Sequence, residues 1–143
     1  ERRIESMVAR ARQNPQSMTP EDRVNMENYA IEVQQLQTAE LANFKRDAGY
    51  APDNAIVQYR YGLALYRNGL IAEAVIALQH VHQLEPQTPI YMVALARLLQ
   101  TTGQLDEALE IAQKLIKIEP QHQDFVEELQ AQIQQRSQAA PKE

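Results

Sequence analysis

The 143-residue chain has no cysteine and no tryptophan, only four glycines, and an aromatic share of 6%. Without cysteine there is no disulfide, no thiolate metal site and no thiol nucleophile; the compartment stays open, because a helical protein needs no disulfide in either redox setting. Glycine and the seven prolines are clustered, and the stretches between them are rich in Ala, Leu, Gln and Glu. That composition forms helices, and strands are not expected. A net charge of -5 speaks against a phosphate backbone as ligand, which needs clustered Lys and Arg, so nucleic acid is not an expected partner. No apolar run approaches the roughly 20 residues that span a bilayer, and Glu1-Arg2-Arg3 leads into an amphipathic segment rather than a signal core. The chain is therefore expected to be soluble, with no membrane insertion in this segment. Because it opens on Glu1, it is expected to be a processed chain or a piece of a longer one.

Catalytic and metal-binding equipment is equally sparse. His80 and His82 lie two apart on a helical stretch, which sends their rings to different faces, and His122 sits in a linker. Glu127-Glu128 diverge for the same reason and read as a solvated face. No G-x-S-x-G, phosphate-loop or H-E-x-x-H string occurs. No catalytic residue, metal or cofactor is assigned, and an enzyme is not expected.

What is present in quantity is apolar surface, 44% of residues, enough for a core. It is arranged periodically. Pro52, Pro86 and Pro120 are 34 residues apart, and the same step links Leu65 to Leu99, Gly69 to Gly103, Ala74 to Ala108 and Glu85 to Glu119. Within each unit the apolar period is helical and breaks once, at Arg67-Asn68-Gly69 and at Thr101-Thr102-Gly103, where glycine can take the left-handed conformation that ends a helix. The proline after Leu84-Glu85 or Ile118-Glu119 cannot continue a helix and stops it. Each unit thus reads as helix, tight turn, helix.

These residues resemble the tetratricopeptide repeat, whose 34-residue signature runs large apolar, Leu-Gly, Tyr, Ala, Phe, Pro. Gly62 stands at the small position, Leu65 at the aromatic one, Ala74 in the first turn of the second helix, Leu78 at the usual Phe, and Pro86 closes the unit. Ala96, Leu99, Ala108, Ala112 and Pro120 fill the same places in the second unit, with Met92 where the first has Gln58 and the family often has Trp. The small residues let two helices approach closely while the leucines fill the remaining space. The resemblance implies an all-α, right-handed α-α superhelix of hairpins preceded by a long helix. Its division is an N-terminal helical region over 1–52, repeats over 53–86 and 87–120, and a capping helix with a disordered tail over 121–143.

Glu21 to about Ala48 reads as one long helix opened by Thr19-Pro20-Glu21-Asp22. A hairpin there would need a turn near Gln35, where glycine is absent, so the segment looks like a repeat whose two helices have fused. Arg3 to Gln13, with Ile4, Met7, Val8 and Ala11 at helical spacing, is a candidate to pack against it. Asp124 to about Gln135 puts Phe125, Leu129 and Ile133 on one face, as a capping helix would, and Ser137 to Glu143 is expected to be disordered.

A stack of such hairpins exposes the inner faces of its first helices. By the register these carry Ile56, Tyr59, Arg60, Leu63, Tyr66 and Arg67, then Ile90, Val93, Ala94, Arg97 and Gln100. Tyrosine and arginine around an apolar floor are residue types that dominate binding hot spots. The competing reading packs Tyr59 and Tyr66 against the long helix and leaves Arg60, Arg67 and Arg97 solvated. Some relatives grip a C-terminal carboxylate through Lys, Asn and Arg on successive helices. The corresponding positions here are Tyr59, Leu63, Ala94, Asp124 and Glu128, which lack that clamp. The expected function is a non-catalytic scaffold that binds a peptide or helix of another protein. The alternative is a homodimer formed through the stripe Met26, Tyr29, Val33 and Leu36.

Overall fold

The computed structural model describes residues 2–139, and among these every regular element is helical. Contacts divide the chain into two compact units, one reaching to Glu40 and one beginning at Leu41.

The first unit holds α1 (Arg2–Gln13), a short 3₁₀ turn (Pro15–Ser17) and the first part of α2 (Pro20–Tyr50). α2 begins sharply for a local reason. The Thr19 hydroxyl accepts the Asp22 N–H at 3.1 Å, and the Asp22 carboxylate accepts the Thr19 N–H at 3.1 Å. This reciprocal cap, with Pro20 at the first helical position, satisfies donors that a helix start leaves unpaired. Hydrogen bonding from Thr19, its backbone N–H first and then its side chain, holds the Asp22 carboxyl below its usual range. Met7 of α1 is buried at 3% exposure, and Arg3 reaches Glu21 at 3.9 Å.

The second unit carries the end of α2 followed by α3 (Ala55–Arg67), α4 (Ile71–Leu84), α5 (Pro89–Thr101), α6 (Leu105–Ile118), a 3₁₀ turn (Pro120–His122) and α7 (Gln123–Ala139). Both hairpin turns are built alike. Gly69 at φ 77° donates to the Tyr66 carbonyl and Leu70 to the Leu65 carbonyl; Gly103 at φ 81° donates to Gln100 and Gln104 to Leu99. This crossed pair of bonds closes a helix whose next residue is left-handed, which glycine adopts without a Cβ clash. The 34-residue step also governs burial: Leu65 and Leu99, Ala74 and Ala108, Leu78 and Ala112, and Val81 and Leu115 are all within the core. Phe125, Val126 and Leu129 of α7 seal its far end, with Ile133 half-buried. α7 runs on as helix through Ser137, Gln138 and Ala139, the start of the expected disordered tail, and residues 140–143 lie outside the described residues.

The join between α2 and the first hairpin is polar. Gln58, 8% exposed, donates its side-chain amide to the carbonyls of Ala48 (2.9 Å) and Ala51 (3.2 Å), so it closes the carbonyl end of α2 from a neighbouring helix. His80 Nε2 lies 2.7 Å from the Pro52 carbonyl and ties α4 to the same turn. Leu41 packs on the main core, and Phe44 is half-buried.

Candidate functional site

The side chains of α3 and α5 that face each other leave an open cleft of about 200 Å³, lined by Leu63, Tyr66, Leu78, Ala94, Arg97, Leu98 and Thr101. It exists because Ala94 is small and Leu63 and Leu78 supply an apolar floor, while Tyr66 (48% exposed) and Arg97 stand at the rim.

Arg97 is held in place on one side. Its guanidinium lies 3.9 Å from the centre of the Phe125 ring and 3.1 Å from the Glu128 carboxylate of α7, and it donates to Gln100 at 3.3 Å. Gln100 in turn donates to Gln132 of α7 at 2.8 Å. A planar cation stacked on an aromatic face and bonded at its edge loses little freedom on meeting a ligand. The pair remains half-exposed, so a ligand can reach it.

The remaining candidate residues fall elsewhere. Tyr59 is half-buried with its ring centre 4.9 Å from that of Tyr91, and it packs on both hydrophobic clusters rather than lining the cleft. Val93 is half-buried against the core, Arg60 and Arg67 are exposed on α3, and Ile56 and Ile90 are exposed at the starts of α3 and α5. Leu78, Leu98 and Thr101 join the cleft without being among the residues that the register assigns to the inner faces. Leu98 and Thr101 are one helical turn beyond Ala94 and Arg97, so the period of 3.6 offered that signal. In α2, Met26 and Val33 are half-buried, while Tyr29 and Leu36 are exposed at 43% and 65%; Tyr29 also borders a shallow recess with Arg3, Ile4 and Met7 of α1.

His82 borders a different recess, shared by α4 and α6, with Glu107, Glu110, Ile111 and Lys114. Its Nδ1 is buried and has no hydrogen-bond partner among the described residues. Burial, and then the charge of Lys114, push its pKa below 6.5. His122 instead bonds the Glu119 carboxylate at 2.9 Å. Among the described residues no group of three or more His, Asp or Glu could hold a metal, and no helix is long and apolar enough to cross a membrane.

Stacked hairpins with a side cleft and a sealing helix define a helical-repeat protein. Residues 90–122, spanning α5 and α6, match the family model of the tetratricopeptide repeat. No curated protein matches the chain. The fold is similar to the crystal structure of a thermophilic TPR protein of Thermus thermophilus, with a TM-score of 0.55 and 21% identity over 90% of this chain and 70% of that one. The chain thus has an all-α helical-repeat fold, with a match over residues 90–122 to the tetratricopeptide repeat, a repeat that generally mediates protein–protein interaction.

Proposed function

We propose that the chain is a non-catalytic interaction module whose cleft between α3 and α5 takes a short peptide or helix of a partner protein. Residues 53–86 and 87–120 act as two repeats in this reading, 121–143 as the cap and 1–52 as an N-terminal helical region. The observation that carries it is the pairing of an apolar floor with Tyr66 and a pre-positioned Arg97 at an open rim. Such a site gains area from the floor and orientation from the rim. The experiment is affinity capture on the immobilised chain, followed by calorimetry of the captured partner against Tyr66→Ala. Tyr66 is surface-exposed, so the variant keeps its fold, and affinity is expected to fall on the order of tenfold or more. Unchanged affinity in Tyr66→Ala and Leu63→Ala alike would remove the cleft from consideration.

The exposure of Tyr29 and Leu36 favours a second reading, self-association through α2 and its stripe Met26, Tyr29, Val33 and Leu36. Light scattering on the purified chain separates the two, since the first leaves a monomer.

A further inference from the structure

The two hairpin turns share a backbone but not a chemistry. Of the asparagines Asn14, Asn25, Asn28, Asn43, Asn54 and Asn68, only Asn68 precedes a glycine, and it does so at the turn from α3 to α4. A glycine has no Cβ to shield its own nitrogen, so it is the following residue on which an asparagine side chain cyclises with least hindrance. One repeat later the position is Thr102, which has no amide to lose; its hydroxyl donates instead to the Leu99 carbonyl at 3.0 Å.

The closed turn holds that reaction off. The Gly69 N–H is bonded to the Tyr66 carbonyl at 3.0 Å, which keeps the proton on the nitrogen that would attack. Asn68 Nδ2 donates to the Ala64 carbonyl at 2.8 Å and so anchors the side chain along α3. With Asn68 at ψ 8°, the Gly69 nitrogen eclipses the backbone nitrogen of Asn68, whereas a five-membered ring needs it to eclipse Cβ. Each of these restraints lasts only while the turn stays closed. Asn68 is half-buried and Gly69 exposed at a surface turn, the kind of segment that opens locally without global unfolding.

We propose that Asn68 is a site of spontaneous deamidation, gated by opening of the α3–α4 turn, and that its conversion removes the cap of α3. In the open turn the Gly69 nitrogen loses its proton to water and attacks Cγ of Asn68. The N–Cγ bond forms, the Cγ–Nδ2 bond breaks, and the amide nitrogen leaves as ammonia, giving a succinimide. Water then opens the ring at either carbonyl, so that one amide and one water become one carboxylate, as aspartate or isoaspartate, and one ammonium. Neither product restores the turn. The carboxylate has no N–H to give to Ala64, and it places negative charge at the helix end that already carries the negative pole. Isoaspartate also routes the main chain through Cβ, and the added atom shifts the paired bonds from Gly69 to Tyr66 and from Leu70 to Leu65 out of alignment. α3 then frays at the point where Tyr66 stands on the rim of the cleft.

The full chain, aged in mildly alkaline buffer both native and in urea, tests this, with each asparagine followed by mass spectrometry of its peptide and the two acidic products separated by chromatography. In urea Asn68 is expected to convert faster than every other asparagine. In the native chain it is expected to convert at least about tenfold more slowly, the factor that applies when the turn is open a tenth of the time or less. Asn68→Gln, whose ring would carry an extra carbon, is expected to show no conversion over the same period. Asn68→Asp, which stands for one product, is expected to exchange the Gly69 and Leu70 amides faster than the wild type while Gly103 and Gln104 exchange unchanged. If Asn68 converts in urea no faster than the other asparagines, the site is overturned. Equal rates in native and urea samples overturn the gate, and unchanged exchange in Asn68→Asp overturns the loss of the cap.

Discussion

Replacing Gly62 by leucine tests the hairpin register most directly, because the glycine is buried where α3 meets α4. A Cβ there would lie 3.0 Å from Leu78 Cδ2, 3.3 Å from Leu78 Cγ and 3.4 Å from Ala77 Cβ, inside the roughly 3.5–4.0 Å at which carbons rest. Three further carbons have nowhere to go without parting the helices, since Leu78 is 2% exposed and already packed. Overpacking of this kind costs about 1–3 kcal/mol or more, against about 0.8 kcal/mol returned by the better helix propensity of leucine. The net expectation is a loss of about 1–2 kcal/mol, a fall in Tm on the order of 5 °C by calorimetry. Gly49 is the internal control. It is also helical, but nothing lies within 4 Å of its would-be Cβ, so Gly49→Ala is expected to stabilise by about 0.5–1 kcal/mol. Gly62→Leu combined with Leu78→Ala is expected to recover part of the loss, a coupling that independent sites do not show. An unchanged or raised Tm for Gly62→Leu would refute the close approach on which the fold argument rests.

Gln58→Met, which installs the residue found one repeat later, is expected to cost about 1–3 kcal/mol by leaving the Ala48 carbonyl buried without its donor; hydrogen exchange at the end of α2 reads the effect. His82 has its folded pKa pushed below the unfolded 6.5, so its contribution to stability is full above pH 6.5 and is lost as pH falls below 6.5 toward the depressed value. Denaturation midpoints of the wild type relative to His82→Leu are therefore expected to drop between pH 7.5 and 5; parallel pH profiles would deny the residue that role. Thr19→Ala removes half of the cap on α2 and is expected to fray its first turn at a cost of about 1 kcal/mol, seen as faster amide exchange at Arg23 while α3 to α7 stay protected.

The hairpins were legible in the sequence because their signals are local. Gly69 and Gly103 mark turns that only a left-handed residue closes, Pro86 and Pro120 mark stops, and the apolar period between them has one solution. The absence of such a turn at Gln35 was legible for the same reason, and the unbroken α2 follows from it. Several interactions were not legible because they join side chains far apart in the chain. The Arg97 stack on Phe125, the Gln58 cap on Ala48 and the Tyr59–Tyr91 ring contact depend on how one helix slides against the next. That offset is a packing outcome with no pattern inside any single helix.

The sequence by itself determined an all-helical chain, the two 34-residue hairpins and the long helix before them, since backbone preference and periodicity act over a few residues. Only the tertiary structure decided which inner-face residues meet. It drew Leu63, Tyr66, Ala94 and Arg97 into one cleft and turned Tyr59 into packing. The physical reason is that periodicity fixes the face of a helix, whereas burial depends on whether another helix arrives to cover it.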